Sequence, residues 1–413
     1  MLDLIWEMNS HLILDSRGRY TLETGLQTPH GLFRASVPHG ASKGTLEALE
    51  LPAIEAVRNV NMRIAPCFLK MALEPQPQFD RRLQLLDGTP NKSRLGANAL
   101  LSVSIAAARA NAAHNGERLY AYLHEISKAK KPVLPIPFMN ILNGGKHAGL
   151  ENDIQETMIV PHQFKSFFAA LGAGTAVFHA LRKLLHQKYG AAATLVGDEG
   201  GFVPQQARNL ETRLELLEKA VEQAGFSGRI SFAIDSAASQ FFNEKKNRYQ
   251  LGKKKFSPGE LVDYYSKIVK SFPVISIEDG FAENDWVGWK LLNKKLGKKV
   301  QLVGDDLLVT NLGRIREAFS KKACNSLLLK PNQVGTVWES IEAAKLAYKN
   351  KWKVMVSHRS GETNDAFIAD LAVGIGCGQC KFGAPDRGER IAKYNRLLQI
   401  EEEFGKQACF ASL

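Results

Sequence analysis

Short apolar runs that each stop at a charged residue recur through the C-terminal two thirds of the chain, and this recurrence limits the fold more than any other feature. Ile230-Ser-Phe-Ala-Ile stops at Asp235, Val274-Ile-Ser-Ile at Glu278-Asp279, and Gln301-Leu-Val-Gly at Asp305-Asp306. Leu327-Leu-Leu stops at Lys330, Val354-Met-Val-Ser at His358-Arg359-Ser360, and Lys381 follows. After a wider first gap the stops return about every 25 residues, the length of one strand, one helix and two short connections. Such βα units predict a parallel (β/α) barrel, an α/β fold whose C-terminal strand ends share one mouth. A doubly wound open sheet has the same rhythm, but no Gly-rich dinucleotide or P-loop fingerprint opens a helix here.

The N-terminal part has a different pattern. Tyr20-Thr-Leu-Glu-Thr-Gly-Leu-Gln-Thr alternates as a half-exposed antiparallel strand does, and Gly31-Leu-Phe-Arg-Ala-Ser-Val-Pro reads as its partner in a hairpin or meander. Helical periods follow over 46–63, and over 97–113, where small residues allow close helix packing. The basic, Pro-flanked stretch Ser127-Lys-Ala-Lys-Lys-Pro132 marks a boundary near residue 130, between an α+β domain over 1–130 and a barrel over 131–413.

Composition excludes several classes. With 413 residues, 45% hydrophobic and 23% charged, the chain is neither disordered nor a disulfide scaffold, and it has enough apolar sequence for a large core. The net charge of +12 suits anionic ligands without choosing among them. Lys253-Lys-Lys255, Lys294-Lys295, Lys298-Lys299 and Lys321-Lys322 are scattered and lack interleaved aromatics, as on solvated faces, so no specific nucleic acid is expected. No segment approaches the roughly 18 apolar residues of a membrane span. The start, Met1-Leu-Asp-Leu-Ile-Trp-Glu, lacks the features of a secretory signal, so a cytoplasmic protein is expected. An odd count of five cysteines fits reduced thiols, and Cys377-Gly-Gln-Cys380 reads as two small buried residues.

Asp235, Glu278 and Asp305 would bring three carboxylates to successive strand ends, and three buried negative charges need a counter-charge. A divalent hard cation such as Mg²⁺ supplies it with all-oxygen ligation; pairing with Lys or Arg is the alternative. Lys330 ends a run of leucines, where desolvation would lower its pKa toward that of a base. His358, Arg359, Ser360 and Lys381 offer donors and positive charge for a phosphate or carboxylate. Glu199 lies in Gly197-Asp-Glu-Gly-Gly201, and Glu156 follows Gln155, downstream of Asn143-Gly-Gly-Lys-His147. A metal, a lysine base, spare carboxylic acids and an anion cradle point to proton abstraction beside a carboxylate, with departure of a leaving group.

Specific motifs run along essentially the whole chain. They are Asp15-Ser-Arg-Gly18, Gly40-Ala-Ser42, Leu86-Asp-Gly-Thr-Pro-Asn-Lys-Ser-Arg-Leu-Gly-Ala-Asn98, Val196-Gly-Asp-Glu-Gly-Gly201, Ser276-Ile-Glu-Asp279, Ser357-His-Arg-Ser-Gly-Glu-Thr363 and Ala392-Lys-Tyr-Asn395. In these the chain resembles the enolase family. The resemblance implies a smaller α+β N-terminal domain, a modified barrel with one early strand antiparallel, and a homodimer or assembly of dimers. It implies that Asp235, Glu278 and Asp305 hold a first Mg²⁺, and that a second arrives with substrate and joins Ser42 of a mobile loop near 38–44. It makes Lys330 the base at C2 of 2-phosphoglycerate and Glu199, helped by Glu156, the acid at the departing 3-hydroxyl, giving phosphoenolpyruvate. Lys381 would bind the substrate carboxylate and Arg359 and Ser360 the phosphate, with His147, Gln155 and His358 around the pocket. Members of the enolase superfamily pair a Lys or His base with one or two Mg²⁺ ions, and the resemblance implies that pairing here.

Some positions depart from the family pattern. Arg19-Tyr20 replaces Asn-Pro, His39 and Lys43 replace Ser and Thr in the mobile loop, and Gln240 replaces Glu. The connection after Leu51-Pro52 and the C-terminal tail are short. His39 reads as an exposed side chain. These changes motivate one alternative, a degenerate paralogue with a binding or structural role; intact catalytic positions argue against it.

Overall fold

Three antiparallel strands, Glu7–Leu14, Tyr20–Thr28 and Gly31–Ser36, form a meander in a computed structural model that describes residues 4–40 and 44–413. The hairpin expected from alternation is present, and Glu7–Leu14 adds a strand that the sequence reading did not anticipate. The central strand turns Leu22 and Leu26 inward, and Thr24 Oγ1 lies 2.7 Å from Ser102 Oγ on the helix Ala97–His114. That helix is buried over most of its length, which its Ala and Ser side chains permit because they let neighbours approach from both sides.

The helix expected over 46–63 is shorter than its periodicity suggests. It begins at Ala53, runs to Asn59 and widens into a π-turn over Val60–Ile64. Pro52 lacks an N–H and disfavours helical geometry at Leu51. Asn98 then claims Leu51, accepting from its N–H and donating to its carbonyl.

The remaining strands close into a barrel. Ile136–Pro137 and Met139–Asn143, separated only by Phe138, act as one strand that pairs with Gln379–Lys381 on one side and Glu156–Pro161 on the other. Ile230–Asp235, Val274–Glu278, Gln301–Gly304, Ser326–Leu329 and Lys353–Ser357 complete the circuit in sequence order. Closure excludes the open doubly wound sheet. Glu156–Pro161 runs antiparallel to both neighbours, and the other pairings are parallel. The wide first gap in the βα rhythm is filled by a small antiparallel sheet, Phe242–Asn243, Arg248–Leu251 and Lys254–Phe256, ahead of the helix Pro258–Ser271.

Inward-facing Ile136, Phe138, Met158, Val160, Ala233, Val303, Leu328 and Met355 fill the barrel as a cluster separate from the larger core under the helices. The lumen is therefore a packed floor, and chemistry is confined to the mouth. The N-terminal elements are fixed against the barrel by buried polar contacts. Asp80 accepts from Trp338 N at 2.8 Å and Ser104 Oγ at 2.7 Å, and Arg109 pairs with Asp365 at 2.7 Å. Among the described residues no helix is long and apolar enough to cross a membrane.

Candidate active site

Strand register brings distant carboxylates together. Glu156 is the partner of Asp235, and Asp235 is the partner of Glu278 on its other side, so the three form a row across adjacent strands. Asp305 follows Gly304 at the next strand end. Lys381, at the end of its own strand, reaches across this row: its Nζ is 2.9 Å from Glu156 Oε2, 3.1 Å from Asp235 Oδ2 and 2.8 Å from Glu278 Oε1. Lys330 Nζ lies 2.5 Å from Asp305 Oδ2, whose partner oxygen accepts from Gln333 Nε2 at 3.0 Å.

The charges respond to one another. Burial would raise Asp305, but the Lys330 ammonium, together with Arg359 and Lys381, holds the carboxyl below its usual range. Burial likewise would lower Lys330, yet Asp305 holds it up. The lowered lysine expected from sequence is thus corrected: the Asp305 carboxylate at 2.5 Å, with Glu278 nearby, holds the ammonium up against burial. Glu278 is pushed well above the carboxylate range by burial and then by Asp235. Carboxylates outnumber their cations here, and such a site favours a further positive charge.

Asp279, in the left-handed region at φ 41°, ties the acidic strand ends together. It accepts from Asp305 N at 2.9 Å and Asp306 N at 2.8 Å. Asp279, Asp305 and Asp306 bring oxygens within 4.8 Å of one another, as do His147, Glu156 and Glu199 with their ligand atoms. The all-oxygen set of Asp235, Glu278 and Asp305 suits a hard divalent cation, and both lysines now occupy its charge-balancing role.

The opposite wall carries the acids. Glu199 Oε2 accepts from Asn140 Nδ2 at 2.9 Å and lies 3.5 Å from His358 Nε2 and 3.8 Å from His147 Nδ1. His147 Nδ1 is also 3.4 Å from Glu156 Oε1. Burial would raise Glu199, but His147 and His358 hold it low, whereas burial and the Glu199 charge push Glu156 up. Of the two carboxyls, Glu156 therefore holds a proton more tightly than Glu199. His358, buried, falls to about 4 and is neutral.

Arg359 makes a two-pronged pair with Glu47 of the N-terminal part, at 2.9 and 3.2 Å, and donates to Asn332 at 3.1 Å. Its guanidinium lies against Gly40, where an added Cβ would come 1.9 Å from Nη2. Ser360 is buried beside it. Ser42 and Lys43 lie outside the described residues. Gln155 donates its N–H to Asp235 O, and its Oε1 accepts from Gln240 at 2.6 Å, so Gln240 orients a site side chain. His39 is not simply exposed: its Nδ1 is 2.9 Å from Glu50, and its N–H donates to Gly361 O. Cys377 and Cys380 are buried free thiols, and burial pushes Cys377 up to about 11.

A cavity at the mouth is lined by His147, Gln155, Glu156, Glu199, Asp235, Asp305, Lys330, His358, Arg359, Ser360 and Lys381. Glu278 joins it through Lys381. The sequence reading did not select Asn140, Glu47 or Arg390. Arg390 had a visible signal, because on its helix it shares the spacing of buried Tyr394, Leu397 and Ile400, where a cation needs a buried partner.

Fold and site together define a barrel enzyme with a lysine-bearing acidic mouth. Residues 131–413 match the family described as "Enolase, C-terminal TIM barrel domain", and residues 5–123 match "Enolase, N-terminal domain". The chain is similar to the enolase of Mastigamoeba balamuthi, 48% identical over 421 residues, covering 97% of this chain and 96% of that protein. It is likewise similar to the enolase of Methanopyrus kandleri, 49% identical over 411 residues, covering 96% and 95%. The chain belongs to the enolase family, whose members are lyases.

Proposed function

We propose that this chain catalyses the reversible, Mg²⁺-dependent dehydration of 2-phosphoglycerate to phosphoenolpyruvate. The observation that carries the reading is the placement of a lysine and a buried carboxyl pair on opposite walls of one mouth. Lys330 follows the sixth strand of the circuit and Glu156 begins the second, four positions apart in a ring of eight. A substrate between them presents C2 to Lys330 and its 3-hydroxyl to Glu199.

Lys330 takes the C2 proton, the electron pair forms the C2–C3 double bond, and the C3–O bond breaks as Glu199 donates a proton to the departing oxygen. Glu156, which binds a proton more tightly, resupplies Glu199, and His147 lies within 3.4 Å of Glu156 and 3.8 Å of Glu199. Lys381 binds the substrate carboxylate, Arg359 and Ser360 receive the phosphate, and Gln155 borders the substrate. Asp235, Glu278 and Asp305 would hold a first Mg²⁺, and Ser42 a second that arrives with substrate. Mg²⁺ held there would supply Lewis-acid stabilisation of charge building on the substrate carboxylate and would balance the Asp305 charge that Lys330 otherwise offsets, and Lys330 serves as the base. A domain division near residue 130, a homodimer or assembly of dimers, and a cytoplasmic location are part of the same reading. Every described catalytic position carries a chemically competent side chain, so the binding-only alternative is not favoured.

Ultraviolet absorbance after adding 2-phosphoglycerate tests the proposal, because the conjugated product absorbs where the substrate hardly does. A Mg²⁺-dependent rise is expected. No rise from folded, Mg²⁺-binding protein would overturn it.

A further inference from the structure

The Arg390 side chain is fully buried and connects three parts of the mouth. Nη2 donates to Ser360 O at 2.6 Å and Asp198 O at 3.1 Å, while Nη1 donates to Arg359 O at 2.5 Å. Nη1 also lies 2.7 Å from His358 Nδ1. A guanidinium has donors and no acceptor, so this contact requires a lone pair on Nδ1. A neutral imidazole with Nδ1 as acceptor carries its proton on Nε2. Nε2 is buried, makes no hydrogen bond of normal length among the described residues, and stands 3.5 Å from Glu199 Oε2. Gly383 makes room for the arrangement: at φ 89°, an added Cβ would come 3.0 Å from His358 Cε1 and 3.1 Å from Arg390 Cδ.

We propose that Arg390 is a positioning residue that locks His358 as the neutral Nε2–H tautomer, aiming a hydrogen-bond donor at the Glu199 carboxylate. This rests on Glu199 being the acid of the proposed dehydration. When Glu199 gives up its proton it gains a negative charge in a buried site, and a donor already in place stabilises that charge without reorganisation. The groups acting on the ring are Glu199 and Glu362, which favour its charged form, and Arg390, which opposes it; the His358 N–H also donates to Lys381 O. Burial and Arg390 together keep the imidazole neutral.

The assignment can be read without activity. In ¹⁵N-histidine-labelled protein, long-range ¹H–¹⁵N spectra distinguish the two tautomers, and His358→Gln identifies the resonance among the ten histidines. Wild type is expected to show the Nε2–H form, unprotonated down to pH 5. Arg390→Met, which removes the donors, is expected to populate Nδ1–H or the charged ring. It should also lower dehydration by about tenfold or more while leaving C2-proton exchange by Lys330 much less affected. Arg390→Lys, which keeps a donor, should restore part of both. An Nδ1–H or charged His358 in wild type overturns the proposal even if Arg390→Met does not fold. An unchanged Nε2–H form in folded Arg390→Met overturns it as well. Failure of the proposed dehydration itself would leave the tautomer intact and show up only in the absorbance assay.

Discussion

Lys330 and Asp305 form one part-buried ion pair, Nζ to Oδ2 at 2.5 Å, so the candidate base and a candidate metal ligand neutralise each other at adjacent strand ends of the mouth. Lys330→Ala is therefore expected to cut exchange of the substrate C2 proton with solvent by about 10²–10⁴-fold, the usual contribution of a positioned base. Glu199→Gln should keep much of that exchange and lose dehydration. Following deuterium loss from C2 by NMR beside product absorbance separates the steps, and equal retention of both reactions in either variant would contradict the roles.

The same pairing makes a metal prediction. Asp305→Asn removes a negative charge from the donor set and should weaken Mg²⁺ binding by calorimetry, since hard cations are held largely by carboxylate charge. Unchanged stoichiometry and affinity would remove Asp305 from the ligands.

Gly40 is constrained by Arg359. The guanidinium cannot easily withdraw from a new Cβ, because Glu47 and Asn332 hold it. Gly40→Ala is expected to displace the phosphate-binding group, raising KM about tenfold or more with a smaller change in kcat. A variant with wild-type KM would show that the backbone accommodates the methyl elsewhere.

Asp80 gives a pH prediction for stability. Burial moves its carboxyl from an ordinary value of 3.8 up to about 7, against hydrogen bonds from Ser104 and Gln76. The folded state thus binds the proton more tightly than the unfolded chain. Stability from the protonated form is full below pH about 4 and is lost as pH rises toward 7, by up to about 1.4 kcal/mol per pH unit. Asp80→Asn stays neutral throughout, so its urea midpoint should gain on wild type between pH 5 and pH 8. A constant gap across that range would mean Asp80 is ionised in the folded protein.

Much of the barrel was readable because a strand end is a local event: an apolar run, then a charged residue, as at Asp235, Glu278, Asp305, Lys330 and His358. The rhythm did not reveal the reversed strand Glu156–Pro161, since a short apolar segment carries no sign of its direction. That came from family resemblance and was borne out by pairing. The helix over 46–63 was overestimated because periodicity does not register the claim that Asn98 makes on Leu51.

By itself, then, the sequence determined which side chains stand at strand ends and what chemistry they can offer. Tertiary structure decided their charge states and partners. Lys381 balances three carboxylates because closure brings its strand end within reach of theirs. Lys330 is raised instead of lowered because Asp305 lies beside it. Arg390 faces His358 because a helix packs its buried stripe against the mouth. Electrostatic interactions depend on distances of a few ångströms, and those distances exist only once the barrel has closed.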